Sequence, residues 1–580
     1  MFDFCRIACV VPECRTADID YNVHEVVKLY REAVENEAAV VLFPAEVLTG
    51  YGCGDLLNST LIARKEREAL TLAARCTIPY TAAMVFSLSN GKAAVLCNGN
   101  INIVSGTDTV FTNGNVRFAA VPGRNSFEEV KNPGNAQILL FPGAGTDTPD
   151  TITLRRMDYI CLSRTLNTYC VYSGPGVTNS TARGVCGGQA FISFDGKVTG
   201  EIRQFSDLSQ HIYYQDIDIT FSDFMQRQRS VKSDGDFTEV NVRLSPPSEL
   251  QYYPVSRYPF IPQENEADYC RDLIRLAACA LANRMKSCKA KKMVLGVSGG
   301  LDSTMALIIC AECCKLMNRS TKSIVAVSMP GFGTGDRTRD NSIAIAKCFN
   351  TMLKQIPITD AVIQHFKDIG HDPEVTDVVY ENSQARERTQ ILMDIANQCS
   401  GIVIGTGDLS EIALGWCTYN GDQMSMYAVN ASIPKTLMRC IIRNYAENSE
   451  PELAERLIDI CDTPVSPELV PGKQNTEDII GSYELHDFFL WYFMRYGATP
   501  EKLYLLARKA FIRKHTPQRT IAAIETFFNR FLTSQFKRSA MPDSPDVTGM
   551  SLASFDIPSD VCANVWKSSI ENLKSAIKLN

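Results

Sequence analysis

The stretch KMVLGVSGGLDSTMAL, residues 292–307, decides how the second half of this chain folds. The apolar run Met293, Val294, Leu295 has the length and composition of a buried strand. Ser298, Gly299 and Gly300 interrupt it with small residues, and from about Ser303 the pattern turns helical through Met305, Leu307 and Ile308. A strand that passes through a glycine loop into a helix aims backbone N–H groups at whatever sits on the helix N-terminus. The glycines let the backbone approach an anion without a Cβ in the way. The pattern G-x-x-x-x-G-K-[ST] is absent, because no lysine follows Gly300. The order is instead Ser298, Gly299, Gly300, Leu301, Asp302, Ser303. Hydroxyls and amides can grip pyrophosphate, whereas Asp302 can approach phosphate only through a cation, which implies Mg²⁺. The plain alternative is a glycine-containing turn between a strand and a helix.

Outward from this loop, the chain alternates strands and helices. A helix over about 268–287 precedes the strand at 293–297, and a second strand is expected at 323–328, one helix later. That is the order of a parallel βαβ unit. A further strand covers 402–404, and the segment after about 480 reads as helical. The first 220 residues also alternate, with strands at 6–11, 39–43, 93–96, 137–141 and 170–172, a helix over 23–37, and a hairpin turning at Asp195-Gly196. Pro246, Pro247, Pro254, Pro259 and Pro262 give residues 246–265 the composition of a linker. The expected domains are therefore 1–245 and 266–580. A length of 580 residues is too great for one compact core, in keeping with that division.

Composition narrows the class. The net charge of −7 argues against a general nucleic-acid binder or a membrane-surface protein. No apolar run approaches the roughly 18 residues of a membrane-spanning helix, and MFDFCRIACVVPEC lacks the basic-then-apolar pattern of a secretion signal, so none is expected. The 21 cysteines lie scattered within apolar runs, so free buried thiols in a cytoplasmic protein are expected. Cys310, Cys313 and Cys314 lack a partner pair of metal-ligand spacing.

The hexapeptide at 298–303 resembles the pyrophosphate loop of the N-type ATP pyrophosphatases, which activate a carboxyl or carbonyl as its adenylate. The loop alone does not choose the acyl substrate. The stretch GIVIGTGDLSEIALGWCTYNGDQMSMYAVNASIPKTL at 401–437 does, because it closely resembles the corresponding segment of NAD synthetases. ENSQARERTQILM at 381–393, MPGFGTGDRTRDNS at 329–342, YELHDFFLWYFMRYGATPEKL at 483–503 and FFNRFLTSQFKRSAMPDSP at 527–545 agree with it. The resemblance spans residues 266–560. It implies a parallel-sheet α/β fold of the adenine nucleotide alpha hydrolase type, with ATP and deamido-NAD as substrates. Ser298, Gly299, Gly300, Asp302 and Ser303 would bind the ATP phosphates, and Asp302 and Glu411 would hold Mg²⁺. Thr406 and Arg386 would contact the nucleotides, with Arg386 on the deamido-NAD side. Asp422 and Lys435 would face deamido-NAD and the reacting phosphates, so that Asp302, Glu411, Lys435 and Asp422 form the catalytic set. The family also implies a homodimer or higher homo-oligomer. Without the resemblance, Arg386 and Arg388 would read as a solvated helix face, Glu411 as a surface acid and Lys435 as a helix cap. MPGFGTGDRTRDNS, with three glycines and alternating charges, reads as a mobile loop over the site.

The first half resembles the nitrilases, whose αββα sandwich serves many NAD synthetases as a glutamine amidase with a Glu–Lys–Cys triad. VLFPAEVLTGYGCGDLL at 41–57 places Glu46 at the glutamate position. The other two members do not match. NVRFAAVPGRNSFEE at 115–129 puts Phe118 or a neighbouring alanine where the lysine is expected, and no isoleucine-cysteine-glutamate-aspartate element follows. A stretch of about 40–50 residues is expected to be missing before 135–144. Cys161, Cys170 and Cys186 are candidate substitutes without an identified base other than Glu46. The expectation is thus a degenerate amidase fused to an intact synthetase that takes free ammonia. The alternatives are glutamine use through a cryptic site or a separate amidase subunit, and, in another class, a catalytically dead regulatory protein.

Overall fold

The computed structural model describes residues 3–122, 130–182, 184–203, 211–228, 236–463 and 476–578. The chain divides into two compact units, Met1–Pro254 and Val255–Asn580. The boundary falls inside the proline-rich segment. Among the described residues no helix is long and apolar enough to cross a membrane. All 21 cysteines are free, and Cys310, Cys313 and Cys314 are buried.

The first unit begins with β1 (Phe4–Val11), α1 (Ile19–Glu35), β2 (Val40–Ala45), α2 (Thr60–Cys76), β3 (Ala83–Ser87), β4 (Ala93–Cys97) and β5 (Asn100–Val104). It continues with β6 (Thr109–Thr112), β7 (Arg117–Ala120), β8 (Ile138–Pro142), α3 (Pro149–Leu166), β9 (Tyr169–Ser173), β10 (Gln189–Phe194), β11 (Lys197–Arg203), β12 (His211–Asp218), α4 (Ile219–Gln228) and β13 (Thr238–Asn241). Two sheets form, in the orders β12-β1-β2-β3-β4-β5 and β11-β10-β9-β8-β7-β6-β13. β1, β2 and β8, β9 touch across the interface between them, and Ser173 Oγ donates to Val10 O at 2.7 Å. In α1, Val23, Val26, Leu29, Tyr30 and Ala33 recur at helical spacing and pack with α2 on the outer face of the first sheet, against Ala8, Val10, Val41 and Phe43. Tyr159 of α3 packs on Phe141, Tyr172 and Phe191 of the second. The result is the αββα sandwich. The inner strands β1, β2, β3, β4, β8, β9 and β10 are buried along their whole length and read as continuous apolar runs, whereas the edge strands β5, β11 and β13 are largely exposed or half-buried.

Of two local details, the first differs from the expectation and the second agrees with it. The strand expected to stop at Phe43 runs on through Pro44. The register slips between Leu42 and Ala45, and this irregularity accommodates a residue with no N–H to give. Asp195 and Gly196 both have positive φ, 50° and 76°, as the two-residue hairpin turn between β10 and β11 demands.

The second unit holds α5 (Glu266–Ser287), β14 (Lys292–Gly296), α6 (Leu301–Leu316), β15 (Ile324–Ser328), α7 (Asp336–Cys348), β16 (Met352–Gln355), α8 (Thr359–Ile369), α9 (Val378–Gln398), β17 (Gly401–Gly405), α10 (Leu409–Leu414), β18 (Tyr427–Ala428) and α11 (Lys435–Glu447). After these come α12 (Pro451–Asp462), α13 (Thr476–Ile480), α14 (Tyr483–Tyr496) and, among the described residues, four further helices at Pro500–Ala510, Pro517–Thr533, Gln535–Arg538 and Asn564–Lys578. Its sheet is parallel throughout, in the order β16-β15-β14-β17-β18. The strand order reverses between β14 and β17. In such sheets ligands bind outside the carboxyl ends of the strands at that switch point. The loops that leave β14 and β17 are Ser298–Gly300 and Thr406–Asp408.

The segment expected to be a mobile loop is helical over its second half. α7 starts at Asp336, directly after Gly335, and is tied to α12 where Arg337 and Asn341 meet the Asp459 carboxylate at 2.5 and 2.9 Å. Arg337, Arg339 and Asp340 are exposed on this helix, while Asn341 and Ser342 are buried.

α14 carries a buried histidine with a consequence for stability. His486 is 1% exposed, and Nε2–H donates to Ile480 O at 2.6 Å. Burial lowers its pKa from 6.5 to about 4. The unfolded chain takes up this proton near pH 6.5 and the folded chain does not until about pH 4. The stability it confers is therefore complete above 6.5 and lost as pH falls through that window. His486→Gln is expected to remove roughly 2.5 kcal/mol from the loss of unfolding free energy between pH 7 and pH 4.5. Urea titrations of both chains at the two pH values measure that difference.

Candidate active site

α6 starts at Leu301, two residues earlier than the helical pattern suggested, with Gly300 as its N-cap. Gly300 has no side chain to satisfy the first N–H groups of the helix. Gly299 has φ +81°, a conformation that L side chains rarely adopt. Ser298 and Ser303 brace the loop. Gly300 N–H donates to Ser298 Oγ at 3.2 Å, and the two hydroxyls lie 3.2 Å apart. The loop therefore presents unpaired backbone donors and the positive end of a helix in one place. Across the switch point, Asn430 Nδ2 donates to Asp302 O at 2.9 Å and to Thr406 O at 3.0 Å, joining the two loops.

Asp302 and Lys435, 133 positions apart, meet at this edge. Lys435 Nζ lies 2.6 Å from Asp302 Oδ1, 2.9 Å from Glu411 Oε1 and 2.5 Å from Asp408 Oδ2. The first two are hydrogen bonds. The third is a close ion pair without hydrogen-bond geometry. Lys435 is 1% exposed and Asp408 fully buried, whereas Asp302 and Glu411 are 25% and 19% exposed on their side chains. The cluster thus has an insulated floor and two carboxylates open to a ligand.

Three carboxylates around one ammonium carry a formal charge of −2. Burial, with the neighbouring carboxylates adding to it and Lys435 opposing, raises Asp408 well above the carboxylate range. Burial, opposed by Lys435 and reinforced by Asp302, brings Glu411 to about 7. The same carboxylates hold the Lys435 ammonium well above its ordinary pKa against the cost of burial. A divalent cation would favour the ionised form of these carboxylates in place of their protons. Oxygen atoms of Asp302, Asp408 and Glu411 lie within 4.8 Å of one another. Oxygen-only donors suit a hard ion such as Mg²⁺. The donor set fits that metal, with Asp302 and Glu411 as its exposed members.

The other expected residues lie around this centre. Thr406 follows β17 at the same edge. Asp422 is exposed, accepts Thr418 N–H at 2.7 Å, and its charge reaches Glu411. Arg386 is exposed on α9, with a 3.4 Å contact to Tyr419 O. Asp422 and Arg386 form a shoulder and do not touch Lys435 through any direct bond. Asp408 escaped the sequence reading. Its Oδ1 accepts Glu411 N–H at 2.8 Å as the N-cap of α10, and the D-x-x-E spacing at 408–411 signals that cap.

The family model for NAD synthase matches residues 273–540. Glutamine-dependent NAD(+) synthetases of Mycobacterium tuberculosis and Mycobacterium leprae are each 30% identical, with 98% of this chain and 98% of the relative covered. The chain belongs to the two-domain NAD synthetase family. Its class is therefore that of a ligase of NAD biosynthesis. The alignment to the M. tuberculosis relative runs over 671 positions against 580 residues here, so at least 91 positions face a gap in this chain. A solved glutamine-dependent synthetase from Cytophaga hutchinsonii is similar over 98% of this chain and all of its own, at 16% identity and TM-score 0.44.

In the first unit, Glu46 follows β2 with φ 56°, in the left-handed region that non-glycine residues seldom occupy. Glu46 N–H donates to Ser87 O at 2.8 Å. Phe118 is a core residue stacked on Phe111 at 5.3 Å. Cys161 stands exposed on α3, while Cys170 is buried in β9 and its thiol is pushed up by burial. Burial and the Asp147 charge bring Cys186 to about 11. Cys53, which the sequence reading passed over, is buried and donates to Thr49 O, and Glu46 adds to the burial that raises it. The stretch 123–129, which bore on the missing amidase element, lies outside the described residues.

Proposed function

We propose that this synthetase activates the carboxylate of deamido-NAD with ATP and amidates the resulting adenylate, releasing NAD, AMP and pyrophosphate. The observation that carries this is Lys435 held by Asp302, Asp408 and Glu411 beside the Ser298–Ser303 loop. The α6 N-terminus and the two serine hydroxyls would grip the leaving pyrophosphate. Lys435, fully ionised and fixed, would neutralise the charge that builds on the α-phosphate as the carboxylate attacks. Magnesium held by Asp302 and Glu411 would polarise the phosphate oxygens when bound. The shoulder of Arg386, Thr406 and Asp422 would hold the nucleotides. Purified chain supplied with ATP, deamido-NAD and ammonium chloride is expected to form NAD and AMP one for one. Formation of ADP, or of no NAD, refutes this.

For the nitrogen source, the relatives favour glutamine, since those named above are glutamine-dependent; their names lend no support to a preference for free ammonia. A separate amidase subunit or a site in the first unit would then deliver the ammonia. The second reading, direct use of ammonium, is favoured by one feature: the cysteines Cys53, Cys170 and Cys186 are all held toward the unreactive thiol form by burial. An assay of the chain alone separates a site in the first unit from direct use of ammonium. A cryptic site gives glutamine-driven NAD formation by the chain alone that Glu46→Gln lowers by about 100-fold or more, as loss of a general base does. Direct use of ammonium gives no glutamine-driven turnover and no effect of that substitution.

A further inference from the structure

The Lys435 ammonium is held by its three carboxylates, but its backbone is held by a fourth. Asp487, on α14, is 1% exposed and lies outside the cluster. Its Oδ1 accepts Ser410 Oγ–H at 2.5 Å, and its Oδ2 accepts Thr436 N–H at 2.9 Å and Thr436 Oγ1–H at 2.7 Å. Ser410 Oγ in turn accepts the backbone N–H of Lys435 at 2.8 Å. One buried carboxylate therefore ties the first turn of α10, which carries Glu411, to the first turn of α11, which starts at Lys435.

α11 needs that tie. Its N-cap is Pro434, which offers no side-chain acceptor, and no side-chain cap of its own is present. The first N–H groups of a helix require partners when buried, and the N-cap side chain normally reaches the second or third of them. Thr436 is the second helical residue, so Asp487 performs the capping from a different helix. A negative charge there is also favoured by the helix dipole. Any shift of this carboxylate moves Lys435 and Glu411 together.

We propose that Asp487, acting through Ser410 and Thr436, is the positioning residue that sets Lys435 and Glu411 in register for phosphate chemistry. This rests on the proposed synthetase reaction and specifies how its centre is aligned. Loss of an outer residue that orients reacting groups typically costs about 10–100-fold in activity. The test uses the full chain, with wild type first shown to form NAD from ATP, deamido-NAD and ammonium chloride. Asp487→Asn preserves shape but offers an amide where Ser410 needs an acceptor. It is expected to lower kcat about 30-fold while KM for ATP changes less than about threefold. Ser410→Ala is expected to lose a similar factor, and the double variant no more than the larger single loss, because both break one path. His486→Gln, next to Asp487 but outside this network, is expected to keep wild-type kcat. A folded Asp487→Asn chain with kcat within threefold of wild type overturns the proposal, as do losses in the two single variants that multiply in the double. If Asp487→Asn does not fold, Ser410→Ala decides, and wild-type kcat in that variant overturns it. A wild-type chain that forms no NAD refutes the proposed function itself.

Discussion

Lys435→Met is expected to abolish NAD formation, by about 1000-fold or more, and to destabilise the chain at the same time. The catalytic loss follows from removing the fixed cation of Lys435 beside the phosphate loop. A single preorganised group facing transition-state charge is worth about 100- to 1000-fold, and Lys435 also sets the positions of Asp302 and Glu411. The stability loss follows from what is left behind. Asp408 is fully buried with Lys435 as its neutralising partner. Breaking a buried ionic group by deleting one partner costs about 3–5 kcal/mol. The variant also retains three carboxylates and no ammonium, so a divalent cation should bind it more tightly than it binds wild type. Binding to the folded state stabilises by mass action. The midpoint of thermal unfolding of Lys435→Met is therefore expected to rise further with added MgCl₂ than that of wild type. A variant of unchanged stability that ignores magnesium contradicts the structural account of the cluster.

Asp302→Asn is expected to separate chemistry from folding. The asparagine keeps an oxygen for Lys435 and the volume of the side chain, and the position is a quarter exposed. Unfolding should therefore shift by about 1 kcal/mol or less, in the range of ordinary partly exposed substitutions. The turnover should nevertheless fall by about 100- to 1000-fold, because the second residue of α6 loses its charge at the phosphate loop. The magnesium concentration for half-maximal rate should rise by at least 10-fold, as loss of one charged ligand implies. Asp408→Asn is the instructive contrast. That residue is fully buried and caps α10, so its substitution should cost more in stability. Rates measured against MgCl₂ concentration, with urea unfolding of each variant, check both statements.

How far the sequence reached depended on the range of the interaction. The parallel sheet was legible because each strand and helix announces itself locally, and the glycine loop places the switch-point ligand site without further information. Asp302 was singled out by the loop itself, Glu411 and Lys435 through resemblance, and their contact spans 133 positions that no local pattern connects. Asp408 was passed over; the D-x-x-E spacing could have marked it as a cap, but nothing in the sequence shows that the same carboxylate borders Lys435. Asp487 was hidden for a similar reason. It sits within the helical run YELHDFFLWY, where an acid reads as a surface residue until the fold shows α11 lacking its own cap. The helix α7 was missed because three glycines precede it and its charges alternate.

The central claim is that this chain joins the carboxylate of deamido-NAD to the AMP portion of ATP. Deamido-NAD with an ¹⁸O-labelled carboxylate reports on that bond directly. In the presence of ATP, magnesium and ammonium chloride, the account predicts that one labelled oxygen appears in the phosphate of AMP and none in pyrophosphate. Label in inorganic phosphate with ADP as co-product, or unlabelled AMP formed alongside NAD, would contradict it.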